Sequence, residues 1–246
     1  MKAVIQSGGR GTRLRPYTSI LPKPLMPIGA RPVLELLLKW VRRSGIEEIY
    51  ITTGYLGHLI RSFCGDGRQW GLKIAYTQEI EPLGTIGPLA LLRDKLDEAF
   101  IVLNGDILTD LSLSSFIACH RAHGGSLTIA TTIRKTKSEF GVIRNENGRV
   151  VEFQEKPVLS QRVSMGAYLM EPSVLDYVPT GVPFGFDDLV YCMLERHVPV
   201  HVFNHPGIWL DIGRVEDFTS AQEIDWEAND CCLHATAQTE DSYGGF

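Results

Sequence analysis

The sequence predicts an α/β fold: a mainly parallel mixed sheet with helices on both faces and an added antiparallel β subregion. Three observations carry this. In the first half, short β-rich runs alternate with helical ones, the pattern of βαβ units. In the second half, strand runs follow one another with little helix between them, and Asn147-Gly148 is a hairpin signal. Of the 246 residues, 44% are hydrophobic and 22% charged, the balance of an ordinary globular protein with a sizeable core.

Residues 2–7 (KAVIQS) are a buried strand type that ends at glycines. Residues 32–44 read as a helix: Leu34, Leu37, Leu38 and Val41 fall at helical spacing, Pro32 suits the first turn and Gly45 the stop. A strand over 48–53, a short helix over 55–63 and a strand over 73–78 follow. A helix over 86–96 leads to a strand over 100–103, which runs into Asn104-Gly105-Asp106. Right-handed crossovers of such a Rossmann-like sheet gather the loops at the strand C-termini on one edge, where ligands bind. Strands are expected over 126–133, 141–144, 150–154, 163–170 and 200–204, a helix over 185–197, and a closing helix over 215–227. Residues 1–224 read as one catalytic domain, and 225–246 as a helix end and a flexible tail.

Composition narrows the function. The net charge of −5 argues against broad nucleic-acid binding. It leaves room for a local basic pocket, and Arg10, Arg13, Arg15, Lys23, Arg31, Lys39, Arg42 and Arg43 cluster in the first 43 residues. No apolar run reaches the roughly 18–20 residues of a membrane span, and no membrane partner is expected. The chain opens on a strand-like run without a signal-peptide pattern. Its five cysteines contain no CxxC, and Cys231 and Cys232 are adjacent. A reducing cytoplasm is therefore the expected location.

The first strand is followed by Gly8-Gly9-Arg10-Gly11-Thr12-Arg13-Leu14-Arg15-Pro16. Three glycines in four positions let backbone N–H groups approach one anion, and Arg13 and Arg15 add fixed positive charge. The loop is neither a GxxxxGK[ST] phosphate loop nor a GxGxxG dinucleotide fingerprint. Lys23 stands between Pro22 and Pro24, in a stiff, extended segment. Asp106 ends an apolar strand and Asp211 lies in Trp209-Leu210-Asp211-Ile212-Gly213, settings where a carboxylate is costly unless it meets water or a cation. A helix N-cap is the alternative for Asp106. Two such acids could share one Mg²⁺ that bridges phosphate oxygens. Asp110, Asp187, Asp188 and Asp217 read as caps or surface residues.

These motifs resemble the sugar-phosphate nucleotidylyltransferase family. The glycine-arginine loop and Pro22-Lys23-Pro24-Leu25 carry the likeness, followed in order by Glu81-Pro82-Leu83-Gly84-Thr85, Leu103-Asn104-Gly105-Asp106, Phe153-Gln154-Glu155-Lys156-Pro157 and Trp209-Leu210-Asp211-Ile212-Gly213. They span roughly residues 1–224, and the segment from Glu81 resembles the mannose-1-phosphate and heptose-1-phosphate guanylyltransferase branch. The resemblance implies transfer of a nucleotidyl group from an NTP to a sugar 1-phosphate, in an enzyme that often forms homo-oligomers. It implies Mg²⁺ on Asp106 and Asp211, catalytic Arg13 and Lys23, and nucleotide binding by Gly8, Gly9, Gly11, Thr12, Glu79 and Gly84. It further implies an antiparallel sugar-binding subregion in which Gly141 approaches the sugar, Glu155 accepts from its hydroxyls and Lys156 pairs with its phosphate. Two departures stand out: Ser164, where the family often has Asn, and Gln6-Ser7, where Leu-Ala is commoner.

A sugar phosphate has a second pKa of about 6, so at neutral pH it is already a nucleophile and needs no general base. In-line attack on the α-phosphorus would then rest on positioning and charge neutralisation, with no covalent enzyme intermediate. A carboxylate at Glu79 suits the two adjacent donors of a guanine edge, which favours GTP. If Gln78 reads the base instead, dTTP, UTP or CTP is open. The rival readings are a glycosyltransferase of similar fold and a catalytically silent nucleotide-sugar-binding regulatory subunit. The intact set of Arg13, Lys23, Asp106, Lys156 and Asp211 speaks against the second.

Overall fold

The computed structural model describes residues 1–226. The flexible tail expected after about Asp230, and Cys231 and Cys232, lie outside the described residues. The central feature is a seven-stranded sheet of order β12-β8-β11-β6-β1-β4-β5. Its strands are β1 (Lys2–Ser7), β4 (Glu48–Thr53), β5 (Lys73–Gln78), β6 (Phe100–Asn104), β8 (Leu127–Lys137), β11 (Val158–Met170) and β12 (Val200–Asn204). β1 pairs in parallel with β4 on one side and β6 on the other, and β5 continues in parallel beyond β4. Only β11 runs against its neighbours, β6 and β8, while β12 lies parallel to β8.

Alternation along the strands sends side chains to two cores. Ala3, Ile5, Ile49, Ile51, Ile101 and Leu103 face one side, where α1 (Val33–Arg43), α2 (Gly57–Cys64) and α3 (Leu113–His123) supply Leu34, Leu38, Ile60 and Phe116. Val4, Tyr50, Phe100, Val102 and Tyr168 face the other. There α4 (Phe186–Glu195) and the 3-10 segments Gly87–Lys95 and Pro172–Tyr177 cover them. A period of two with both faces buried is the signature of a strand between two helical layers. A third, smaller core joins Leu14, Met26, Leu108 and Ile212 under α5 (Val215–Gln222). It includes Ile28 of the two-residue ribbon β2 (Pro27–Ile28) and β3 (Arg31–Pro32).

Several elements differ from expectation, each for a physical reason. The helix expected over 86–96 is 3-10 in character, because its buried side chains Ile86, Leu89 and Leu92 recur every three residues. The closing helix ends at Gln222 rather than 227, whose last position lies outside the described residues. Helix α3 was not anticipated. Its buried face is broken by a polar residue, His120, which reaches Thr128 Oγ1 at 2.8 Å and Glu171 at 3.2 Å. Ser112 caps its start through the Ser115 N–H, and Gly124 stops it at φ 64°. The strands β8 and β11 are longer than expected. Their outer halves pair with each other from Ser164–Thr131 to Val158–Lys137, and the added residues, 134–137 and 158–162, are mostly exposed, so burial periodicity does not mark them. They bear the hairpin of β9 (Val142–Glu146) and β10 (Arg149–Gln154) that Asn147-Gly148 predicts. Among the described residues, no helix is long and apolar enough to cross a membrane.

Phe116 is fully buried where α3 meets the sheet, beside Phe203 at 5.4 Å between ring centroids. Phe116→Ala is expected to destabilise the fold by about 3–5 kcal/mol. A urea titration with unchanged slope would measure this, and a loss under about 0.8 kcal/mol, the worth of one buried CH₂ group, contradicts the assigned packing.

Candidate active site

The chain leaves β1 toward β4 and returns to it through β6 on the opposite side. This reversal leaves a crevice at the C-terminal ends of the parallel strands, the usual ligand position in open α/β sheets. A cleft of about 410 Å³ lies there. Of the residues singled out in the sequence, Gly8, Gly9, Arg13, Lys23, Glu79, Gly84, Asp106 and Asp211 all line it. Gly11 and Thr12, also singled out, do not line it. Gly11 turns the loop at φ 61°, and a Cβ there would come within 2.7 Å of Lys23 Cγ.

Local packing aims the charged groups. Leu14, 4% exposed, anchors the 3-10 turn Thr12–Leu14 in the third core. Arg13 thereby projects outward, and its Nη2 comes to 3.7 Å from Asp211 Oδ2. Pro24 and Leu25 are buried behind Lys23, whose Nζ reaches Asp106 Oδ2 at 2.5 Å. The two acids come from one ribbon: β7 (Ile107–Thr109) pairs with β13 (Trp209–Asp211) so that Asp211 faces Ile107. The Ile212 N–H donates to the Asp106 carbonyl at 2.9 Å. Asp211 Oδ1 accepts the Gly213 N–H at 2.8 Å. A Cβ on Gly213 would meet Lys23 Nζ at 2.5 Å, Asp211 Oδ1 at 2.9 Å and Arg13 Nη2 at 3.1 Å. Four groups that lie up to two hundred residues apart in sequence thus form one patch with two positive and two negative charges.

The donor chemistry of this patch fits a hard divalent cation. Magnesium is commonly held by one or two carboxylates together with substrate phosphates, and both acids line the cleft. Among the described residues, no group of three or more His, Cys, Asp or Glu side chains could hold a metal ion.

On the other wall, the Glu79 N–H donates to the Thr53 carbonyl at 2.9 Å. Its Oε2 accepts the Leu83 N–H at 2.8 Å, and its carboxylate packs against Gly8. Burial pushes the Glu79 carboxyl up from its usual pKa range, opposed by the Leu83 N–H. Gln78 is exposed and does not line the cleft. Gly84, at φ 81°, lies so close to the Phe184 backbone that a Cβ would come within 2.6 Å of its carbonyl oxygen. The Gln6 amide donates to the Thr85 carbonyl.

Gly141, Glu155 and Lys156 lie outside this cleft. They belong to the hairpin region, where a Cβ on Gly141 would touch the Phe153 ring at 2.7 Å and Glu155 Oε2 at 3.1 Å. Gly141 and Glu155 are therefore neighbours, while Lys156 turns the chain after β10 at φ 47°. Ser164 hydrogen-bonds the Tyr168 hydroxyl at 3.3 Å, near the bulge that interrupts the β8–β11 register.

Of the acids expected to be caps or surface residues, Asp217 is neither, and Asp110, partly exposed, is paired with a distant residue. Asp110 Oδ1 lies 2.6 Å from Nε2 of His205, a residue only 9% exposed. Asp217 is 6% exposed and accepts both arms of Arg134, at 2.7 and 2.9 Å, and the Asp211 N–H at 3.0 Å. Burial pushes the Asp217 carboxyl up, but Arg134 and the Asp211 N–H outweigh it and hold it below the usual range. Position in the first turn of α5 made capping the natural reading. Their partners are distant in sequence, so no local signal could have revealed them. Asp188 does cap α4, accepting the Gly185 N–H at 2.7 Å.

The wider likenesses agree with this geometry. A UTP–glucose-1-phosphate uridylyltransferase of Synechocystis is 36% identical over 241 residues, covering 90% of this chain and 62% of that protein. Mannose-1-phosphate guanylyltransferase 1 of Arabidopsis thaliana is 36% identical over 233 residues, covering 91% and 64%. The chain thus spans somewhat under two thirds of the length of these curated relatives. The crystal structure of HddC from Yersinia pseudotuberculosis superposes with a TM-score of 0.72 at 24% identity, covering 90% of this chain and 98% of that one, a likeness of fold. The nucleotidyl transferase family model matches residues 2–227, nearly the whole chain, and the protein belongs to that family.

Proposed function

We propose that the protein transfers a nucleotidyl group from a nucleoside triphosphate, GTP by preference, to a sugar 1-phosphate, releasing pyrophosphate and forming an NDP-sugar. The observation that carries this reading is the convergence of Arg13, Lys23, Asp106 and Asp211 beside the glycine loop. A phosphate oxygen of the sugar phosphate would attack the α-phosphorus. One P–O bond forms there and the bond to the β-phosphate bridging oxygen breaks, so pyrophosphate carries away the electron pair. Arg13 and the N–H groups of the glycine loop bind the triphosphate, and Lys23 neutralises charge at the reacting phosphates. Asp106 and Asp211 would hold Mg²⁺, which supplies Lewis-acid neutralisation of phosphate charge when bound. Glu155 and Lys156 serve the sugar phosphate from the hairpin side. A mannose-1-phosphate guanylyltransferase-like activity is the form we favour, in keeping with the guanylyltransferase names among the relatives.

The position of Glu79 in the cleft, with Gln78 outside it, supports a carboxylate at the base and hence guanine. One carboxylate oxygen already accepts the Leu83 N–H. That favours, as a second reading, a base with a single facing donor, and the Synechocystis relative is named for UTP.

Asp106→Asn and Asp211→Asn are each expected to lower turnover by about a hundredfold or more, and excess chelator to abolish it. Near-normal turnover in both variants, or full activity in chelator, contradicts the roles given to these acids. Lys156→Ala is expected to raise KM for the sugar phosphate while leaving NTP binding nearly unchanged. Separate titrations of the two substrates would decide it, and a selective loss of NTP binding would refute the role. Glu79→Gln is expected to reduce the preference for GTP over pyrimidine triphosphates by roughly tenfold to a hundredfold. The comparison is kcat/KM across a panel of NTPs, and a wild-type preference for a pyrimidine overturns the guanine reading.

A further inference from the structure

Asp217 combines features that a surface acid lacks. It is buried, and both its oxygens are engaged by Arg134 in a two-armed fork. The same Oδ2 accepts the backbone N–H of Asp211 at 3.0 Å. Arg134 belongs to the outer half of β8, the strand that runs on toward the hairpin carrying Gly141 and Glu155. Its guanidinium lies over the Trp209 ring at 5.6 Å, and Trp209 Nε1 in turn donates to the Met165 carbonyl of β11 at 2.8 Å. Strand β13, which bears Asp211, is therefore tied to both long strands, and one of those ties ends on the backbone of Asp211 itself.

We propose that Asp217 and Arg134 are positioning residues that fix the Asp211 carboxylate relative to the strands bearing the sugar-phosphate hairpin. A buried ion pair adds little net stability compared with apolar side chains of similar size. The geometry therefore matters more for where Asp211 points than for how firmly the chain folds. Partners that orient a cation-binding carboxylate commonly change affinity or activity by about 10–100-fold when lost. This proposal rests on the reading of Asp211 as a cation ligand.

The test uses the whole chain with the nucleoside triphosphate that turns over fastest. Mn²⁺ is titrated by electron paramagnetic resonance without sugar phosphate, so that no turnover occurs. Asp217→Asn is expected to weaken Mn²⁺ binding about tenfold or more and to lower kcat by a similar factor, with KM for the triphosphate changed little. The double variant Arg134→Met/Asp217→Leu replaces both charges with apolar groups. It is expected to keep a near-normal Tm yet show the same losses, because the Asp211 N–H no longer has its acceptor. If both variants bind Mn²⁺ and turn over like wild type while Asp211→Asn does neither, the positioning role is wrong and the role of Asp211 stands. If Asp211→Asn itself leaves Mn²⁺ binding and turnover unchanged, the ligand role fails and the positioning role with it. Losses in kcat that vanish when the variants are assayed well below their Tm also overturn the proposal.

Discussion

The double pairing of β1 is the constraint on which the rest of the molecule depends. It is hydrogen-bonded in parallel to β4 and β6 along nearly its whole length, and Ala3, Val4 and Ile5 are completely buried. A parallel strand in that position must hand the chain to loops at its C-terminal end. The glycine loop follows β1, Glu79 follows β5, and Gly105-Asp106 follows β6. Three loops distant in sequence are thus brought to one edge by backbone hydrogen bonding alone, before any site residue contributes.

The charged patch is a consequence of this framework rather than its support. Paired, partly buried charges lose hydration that their mutual attraction only partly repays. Lys23 and Asp106, each under one fifth exposed, are held in contact by hydrophobic anchors: Pro24 and Leu25 behind the lysine, and the buried strand β6 before the aspartate. The arrangement is close to neutral, with two cations for two acids, and all four groups border open cleft.

The antiparallel addition has a different physical character. Beyond Thr131 and Ser164, strands β8 and β11 pair with each other alone, and the β9–β10 hairpin exposes Val142, Ile143, Val150 and Phe153. Backbone pairing rather than a core holds this region together. The Arg134–Asp217 fork and the stacking on Trp209 join it to the acidic ribbon. The cleft is thus built on a doubly covered sheet, and the hairpin on a two-stranded extension.

The sequence by itself determined the parallel half of the sheet, since a strand buried on both faces and an amphipathic helix such as α1 each leave a periodicity that local reading detects. It also singled out Gly8, Gly9, Arg13, Lys23, Asp106 and Asp211, which line the cleft, because glycine runs, prolines around a lysine and acids in apolar runs are locally anomalous. Short elements such as β7 and β13 carry too few residues for any period, and α3 hides its buried face behind His120. Whether Glu79 or Gln78 enters the cleft turned on the direction of one side chain as β5 ends, which the register of β4 and β5 decides. The partners of Asp110 and Asp217 were invisible for the same reason. His205 and Arg134 lie roughly a hundred residues away in sequence, and only packing of the distant strands brings them within hydrogen-bonding distance.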